Sequence, residues 1–253
     1  MAIMSPVFIR VLISILGSII WRFYKMKRSR INEALKEMEA MIKEYRFSLP
    51  EFCHFTPGQW QNKSHEYDEI RDNMLGWDIT DYGMNDFDKM GFSLITLRNG
   101  NMKMKDKYKK SYAEKLLYLK EDQYSPNHFH WIKMEDIINR GGGNLLIRVY
   151  NSLPDEEVDK VTDVTVHIDG RTYTVPAGTQ VKLKPGMSIS IQPYMYHDFE
   201  VEPGTGPVLI GEVSECNDDN TDNRFNPPVG RFPTIEEDEA PYRLLCNEYP
   251  AAK

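Results

Sequence analysis

From Gly91 onward the chain is written in short β-prone runs, each closed by a turn signal, and that rhythm leaves few architectures open. The runs are Phe92–Leu97 before Asn99-Gly100, Glu114–Leu119, His128–Trp131, Asn144–Tyr150, Val161–Ile168 before Asp169-Gly170, Arg171–Val175, Gln180–Leu183, Ser188–Gln192, His197–Val201 and Val208–Ser214. Strands at this spacing predict an all-β sandwich or barrel. Asp169-Gly170 between two alternating runs is a type I′ hairpin signal, and Pro185-Gly186 and Pro203-Gly204 mark further tight turns. No long helical pattern separates the runs, which argues against a parallel α/β sheet.

Upstream the texture differs. From Ser29, read as an N-cap, apolar residues recur at Ile31, Leu35, Met38, Met41, Ile42 and Tyr45, the rhythm of an amphipathic helix over residues 30–46. Residues 47–90 are rich in Asp, Asn, Gly and aromatics and read as ordered loop with a short helix near Ser64–Met74. The domain reading is therefore a helical and loop segment, 26–90, packed on a barrel, 91–253, that ends in a C-terminal tail. Residues 1–25 form a hydrophobic extension whose apolar stretch is clean only over Val11–Trp21. It is short for a membrane span and lacks the charge and cleavage pattern of a signal peptide. Three readings stay open: an anchor placing the domain on the cytoplasmic side, a signal segment, or an upstream extension of a product that begins at Met26.

Of the 253 residues, 41% are hydrophobic and 27% charged, ordinary for a globular protein with a substantial core. The net charge of −7 and the lack of a basic stripe with interleaved aromatics exclude nucleic acid as the expected partner. Cys53, Cys216 and Cys246 are widely spaced and form no Cys-x-x-Cys pair, which fits a reducing, cytoplasmic setting.

The chemistry concentrates in His128-Phe-His130-Trp-Ile-Lys133-Met-Glu135, with His197 downstream in Tyr-Met-Tyr-His197-Asp-Phe. In an extended strand side chains alternate faces, so His128 and His130 point to the same side. An isolated His-x-His reads equally well as two solvent-facing strand residues. The nearby Glu135 and the later His197 turn it into a candidate site of three imidazoles and one carboxylate for manganese, iron, cobalt, nickel or zinc, with positions left for substrate oxygens. His54, His65 and His167 read as structural or exposed, and Tyr194 and Tyr196, of opposite parity to His197, as packing.

These residues resemble the cupin superfamily, a double-stranded β-helix or jelly-roll barrel whose first motif is His-x-His, a Glu and then a Gly. His128, His130, Glu135 and Gly141/Gly142 stand at the matching positions, and Gly178, Pro185-Gly186 and His197 match the second motif. Asp122 and Tyr194 stand where that pattern has glycine, and the spacing between the motifs is long, which puts local loop shape in question. From Met26 on, the chain more closely resembles the cupin-type D-lyxose isomerases, through Gln123-Tyr-Ser-Pro-Asn-His128-Phe-His130-Trp-Ile-Lys133-Met-Glu135-Asp136, Gly141-Gly-Gly-Asn144-Leu and Ser214-Glu215-Cys216-Asn217-Asp-Asp-Asn-Thr-Asp222-Asn-Arg224-Phe225. That resemblance implies a mainly β fold, interconversion of lyxose with xylulose and mannose with fructose, Mn2+ as the usual ion (Co2+, Fe2+ or Zn2+ otherwise), a monosaccharide as partner and a homodimer.

Moving a carbonyl between C1 and C2 through a metal-stabilised cis-enediol needs a base that reaches both carbons. Glu215, closing the last run, is the candidate, with a solvated loop carboxylate as its alternative. Lys133 lies on the same face as Glu135 and is read as polarising a sugar hydroxyl, helping protonate O1 and O2, or simply pairing with Glu135 or Asp136. Gln123, Asp222 and Arg224 are the candidates for sugar hydroxyl contacts. A cupin-type phosphosugar isomerase is the nearest alternative and a cupin oxygenase a further one; no Gly-rich loop or clustered Arg/Lys near the motif offers a phosphate cradle.

Overall fold

The computed structural model describes residues 25–219 and 221–253, so the readings of the N-terminal extension fall almost wholly outside the described residues. Sixteen strands follow in chain order: β1 (Met26–Lys27), β2 (Gly76–Thr80), β3 (Phe92–Arg98), β4 (Tyr112–Leu119), β5 (Tyr124–Phe129), β6 (Glu135–Gly142), β7 (Leu145–Ser152), β8 (Val158–Asp159), β9 (Val164–Ile168), β10 (Arg171–Val175), β11 (Gln180–Leu183), β12 (Ser188–Ile191), β13 (Tyr196–Val201), β14 (Val208–Glu215), β15 (Arg224–Phe225) and β16 (Ile235–Glu236). An eight-stranded sheet in the order β10-β9-β12-β6-β14-β4-β3-β2 faces a six-stranded sheet in the order β11-β7-β13-β5-β15, with β8 beside β7. All neighbours within the two sheets pair antiparallel, and strands from distant parts of the chain alternate between them, as the expected double-sheet barrel requires.

Side-chain parity decides what the barrel holds. Val208 and Ile210 on β14, Leu117 and Leu119 on β4, and Ile137 on β6 join one cluster with Leu145, Ile147 and Val149 of the opposite sheet. The alternate residues, Leu209, Leu116 and Tyr118, face outward and meet helix α1 (Arg28–Glu44). Its stripe of Ile31, Leu35, Met38 and Ile42 covers that outer face, and burying each such side chain stabilises the fold by about 1.5–3 kcal/mol. Asp169 and Gly170 both have positive φ and close the β9–β10 hairpin, the turn the sequence announces.

Three local expectations change. The helix is preceded by Lys27 with no side-chain cap; Ser29 sits inside the first turn, where its backbone N–H and hydroxyl donate to Asp238. Residues 76–80, read as loop, form the edge strand β2, buried along its length between β3 and the returning C-terminal chain, where Leu245 bridges Trp77. The segment 135–142 is not among the predicted runs, and its charges and glycines are poor β-formers, yet β12 and β14 pair with it on both sides. At its end the chain needs Gly142: φ is +96°, and a Cβ there would lie 2.1 Å from the Pro207 carbonyl oxygen.

Candidate metal centre and catalytic cavity

Register brings the sequence-distant ligands together. His197 on β13 lies directly across from His128 on β5, and Phe225 on β15 lies on the other side of His128, stacked on its ring at 5.0 Å. His130 follows β5 immediately, and Glu135 opens β6. The ligating nitrogens of His128, His130 and His197 all lie within 4.8 Å of one another, and all three residues are buried.

The backbone fixes their tautomers. His128 Nδ1 lies 2.8 Å from the Pro126 carbonyl, His130 Nδ1 2.7 Å from that of Asp222, and His197 Nδ1 3.0 Å from that of Met195. A carbonyl only accepts, so each Nδ1 carries the proton and each Nε2 presents a lone pair inward. The Nε2 atoms of His130 and His197 are buried with no hydrogen-bond partner, and Glu135 Oε1 lies 3.4 and 3.1 Å from them. Lone pairs and a carboxylate gathered at this range repel one another, and a divalent cation is the group that satisfies them. Burial, then the neighbouring His197 and His130, holds His128 well below the usual imidazole range, which keeps it neutral and ready to ligate. Burial acts to raise the Glu135 pKa, but the charge of Lys133 beside it leads the opposing effects and the carboxyl is held well below its usual range. The three imidazoles fit a group that could hold a metal ion, with the Glu135 carboxylate beside two of them.

Beyond the ligands the barrel interior changes from apolar to charged. The inward row that carries Val208 and Ile210 along β14 continues as Glu212 and Ser214, and the row of Leu119 and Leu117 on β4 continues as Lys115. Glu212 is the cross-strand partner of Lys115, and Ser214 of Glu135. Glu212 Oε1 accepts from Lys133 Nζ at 2.9 Å and forms an ion pair with Lys115 Nζ at 3.2 Å, Lys115 donates to Glu212 Oε2 at 3.5 Å, and Lys133 also reaches Glu135 Oε2 at 2.6 Å. Lys115 donates to Asn217 Oδ1 at 2.6 Å. Arg231 closes the far side, bridging Asp78 at 2.5 Å and Asp219 at 2.8 Å. The cavity these groups line holds about 490 Å³ out to its open mouth, with Phe92, Leu117, Phe199 and Phe225 forming an apolar flank. Apolar side chains with a few convergent charged groups are the mixed lining of a small-molecule site.

The structure separates the residues singled out in the sequence. His128, His130, Glu135 and Lys133 line the cavity, and His197 completes the imidazole cluster. Glu215 does not line it: it has the opposite parity to Glu212, is exposed, and its Oε2 accepts from the Met134 backbone N–H at 3.1 Å. Gln123 is buried away from the cavity, donating to the Phe87 carbonyl at 2.6 Å and accepting from Lys120 N. Arg224 turns to Glu157 at 3.0 Å and to the Phe225 carbonyl. Asp222 holds backbone N–H groups rather than facing the cavity. In their place stand Lys115, Glu212, Asp219 and Arg231, which the sequence reading passed over. A signal for two of them was present, since Glu212 and Lys115 share the parity of apolar residues that bury inward.

The D-lyxose isomerase family profile matches residues 26–249. The chain is 46% identical over 225 residues to proteins of Serratia proteamaculans and Escherichia coli O157:H7, each named D-lyxose/D-mannose isomerase, over 88% of this chain and 98% of theirs. Among solved structures, L-ribose isomerase of Cellulomonas parahominis with L-ribose aligns with a TM-score of 0.55 at 16% identity, and that of Geodermatophilus obscurus with 0.55 at 14%, each over 84% of this chain and 99% of theirs. At that identity the likeness concerns the fold, a cupin barrel. The family match and the two relatives establish membership: this chain belongs to the D-lyxose isomerase family.

Proposed function

We propose that the protein is an aldose–ketose isomerase for unphosphorylated monosaccharides, interconverting D-lyxose with D-xylulose and D-mannose with D-fructose. One observation carries the reading: a buried carboxylate, Glu212, is held by two ammonium groups inside the cavity that the three imidazoles face. The names of the relatives point to the same sugars. His128, His130 and His197, with Glu135, would hold a divalent ion, Mn2+ in our reading, which would supply positive charge to stabilise the enediolate.

The protein's own groups then move the protons. Glu212 takes the proton from C2 of the aldose and, after the electron pair has shifted, returns it to C1. Lys133 gives a proton to O1 as the carbonyl is reduced and takes one from O2 as the new carbonyl forms, so atoms and charge balance. Lys115 and Lys133 together hold the Glu212 carboxyl in place before the substrate arrives. The apolar flank of Phe92, Leu117, Phe199 and Phe225 strengthens these electrostatic contacts by excluding water.

The charge pattern favours a free sugar over a phosphosugar. Among the described residues lining the cavity, each Lys and Arg is committed to carboxylates: Lys133 to Glu135 and Glu212, Lys115 to Glu212, Arg231 to Asp78 and Asp219. A dianionic phosphate would find no unpaired cation. Initial rates with D-mannose and with D-mannose 6-phosphate test the choice: turnover of the free sugar alone is expected, and turnover of the phosphorylated sugar alone would overturn it.

A further inference from the structure

Residues 131–134, which connect β5 to β6, carry Lys133 yet lie outside both sheets, so their N–H groups have no ladder partners. Asp222, some ninety residues later, supplies acceptors for two of them. Its Oδ1 accepts from Ile132 N and its Oδ2 from Lys133 N, each at 2.9 Å, and its own carbonyl accepts from His130 Nδ1 at 2.7 Å. Asp222 is buried and touches none of the cavity's free volume.

We propose that Asp222 is a positioning residue that locks the metal-binding arm and the proton-transfer arm of the site to each other. Through its carbonyl it fixes the tautomer and ring plane of His130. Through its carboxylate it fixes the backbone from which Lys133 reaches Glu135 and Glu212. A shift of Asp222 therefore moves a metal ligand and the ammonium beside the base together, although it contacts neither metal nor sugar. The proposal rests on the metal centre described above, and partners of this kind typically set metal affinity within a factor of 10–100.

A turn-capping aspartate provides the control. Asp159 accepts from Val161 N at 2.8 Å and Thr162 N at 3.1 Å in the same manner, at a turn that contributes nothing to the cavity. The test titrates Co2+ and Mn2+ against a competing chelator, without sugar, into the wild-type chain and the D222A, D222N and D159A variants; kcat and KM at saturating metal follow. The expected result is a loss of metal affinity of about tenfold or more in D222A, a smaller loss in D222N, which keeps one acceptor, and a fall in kcat with little change in KM. D159A is expected to stay within about twofold of wild type in both readouts. Wild-type metal affinity in folded D222A, or in D222N if D222A does not fold, overturns the proposal, as does an equal loss in D159A. Because the titration contains no sugar, an Asp222-dependent metal affinity in a protein that turns over no sugar would count for this inference and against the isomerase reading.

Discussion

Replacing Glu212 by Gln keeps the shape of the side chain and removes the carboxylate proposed as the base. The loss of a positioned general base lowers kcat by about 10²- to 10⁴-fold, or about 3–5.5 kcal/mol of transition-state stabilisation. Whether the variant folds is decided by what remains for the two lysines. Lys133 keeps Glu135 at 2.6 Å, and Lys115 keeps Asn217 Oδ1 at 2.6 Å with Asp219 at 3.8 Å. Neither ammonium is stranded, so the cost falls short of a broken buried pair and comes to about 1–3 kcal/mol of stability. Initial rates of D-mannose to D-fructose on metal-loaded protein, with metal affinity measured alongside, separate catalysis from folding. Glu215→Gln serves as the partner variant, since that carboxylate lies outside the cavity, and its rate should stay within about twofold of wild type, as expected for an exposed side chain. Retention of more than a tenth of kcat by E212Q, or a hundredfold loss in E215Q, would refute the assignment.

Removing the ion with a chelator should abolish turnover, and H197A, which deletes a buried ligand, should bind Mn2+ too weakly to restore it; full activity in excess chelator would sink the metal reading. Asp198 offers a pH test. Burial pushes its carboxyl up to about 6, against the opposing pull of Arg148 at 3.3 Å. A carboxyl raised above its unfolded value near 3.8 stabilises the fold at low pH and loses that contribution as pH rises through about 6. D198N should therefore be more stable than wild type above pH ~6, by about 2–3 kcal/mol at most, with the advantage gone near pH ~4; urea melts at both pH values check this, and a destabilised variant at neutral pH contradicts it. Gly142→Ala places a Cβ against the Pro207 carbonyl at positive φ and should cost at least about 2 kcal/mol in the same melts.

The barrel, the hairpin at Asp169-Gly170, the amphipathic helix and the His128-x-His130 pair were legible in the sequence, because each is a local pattern. Alternation, turn residues and His-x-His spacing are properties of neighbours along the chain. It misjudged β2 and β6, where pairing on the sheet overrides weak local preference. Tyr194 shows the same limit: the position where the cupin pattern has glycine keeps a left-handed backbone, φ +62°, with tyrosine in place. Which carboxylate faces the cavity was settled by the closed barrel alone. Glu212 and Glu215 stand three apart on one strand, an odd number, so they lie on opposite faces, and only the closed barrel tells which face is inside. Lys115, Asp219 and Arg231 entered the site in the same way, brought from separate segments to complete a charge network that no local window contains. Asp222, read from the sequence as a candidate sugar contact, hydrogen-bonds His130 and the Lys133 backbone across about ninety residues of chain, which no local window shows.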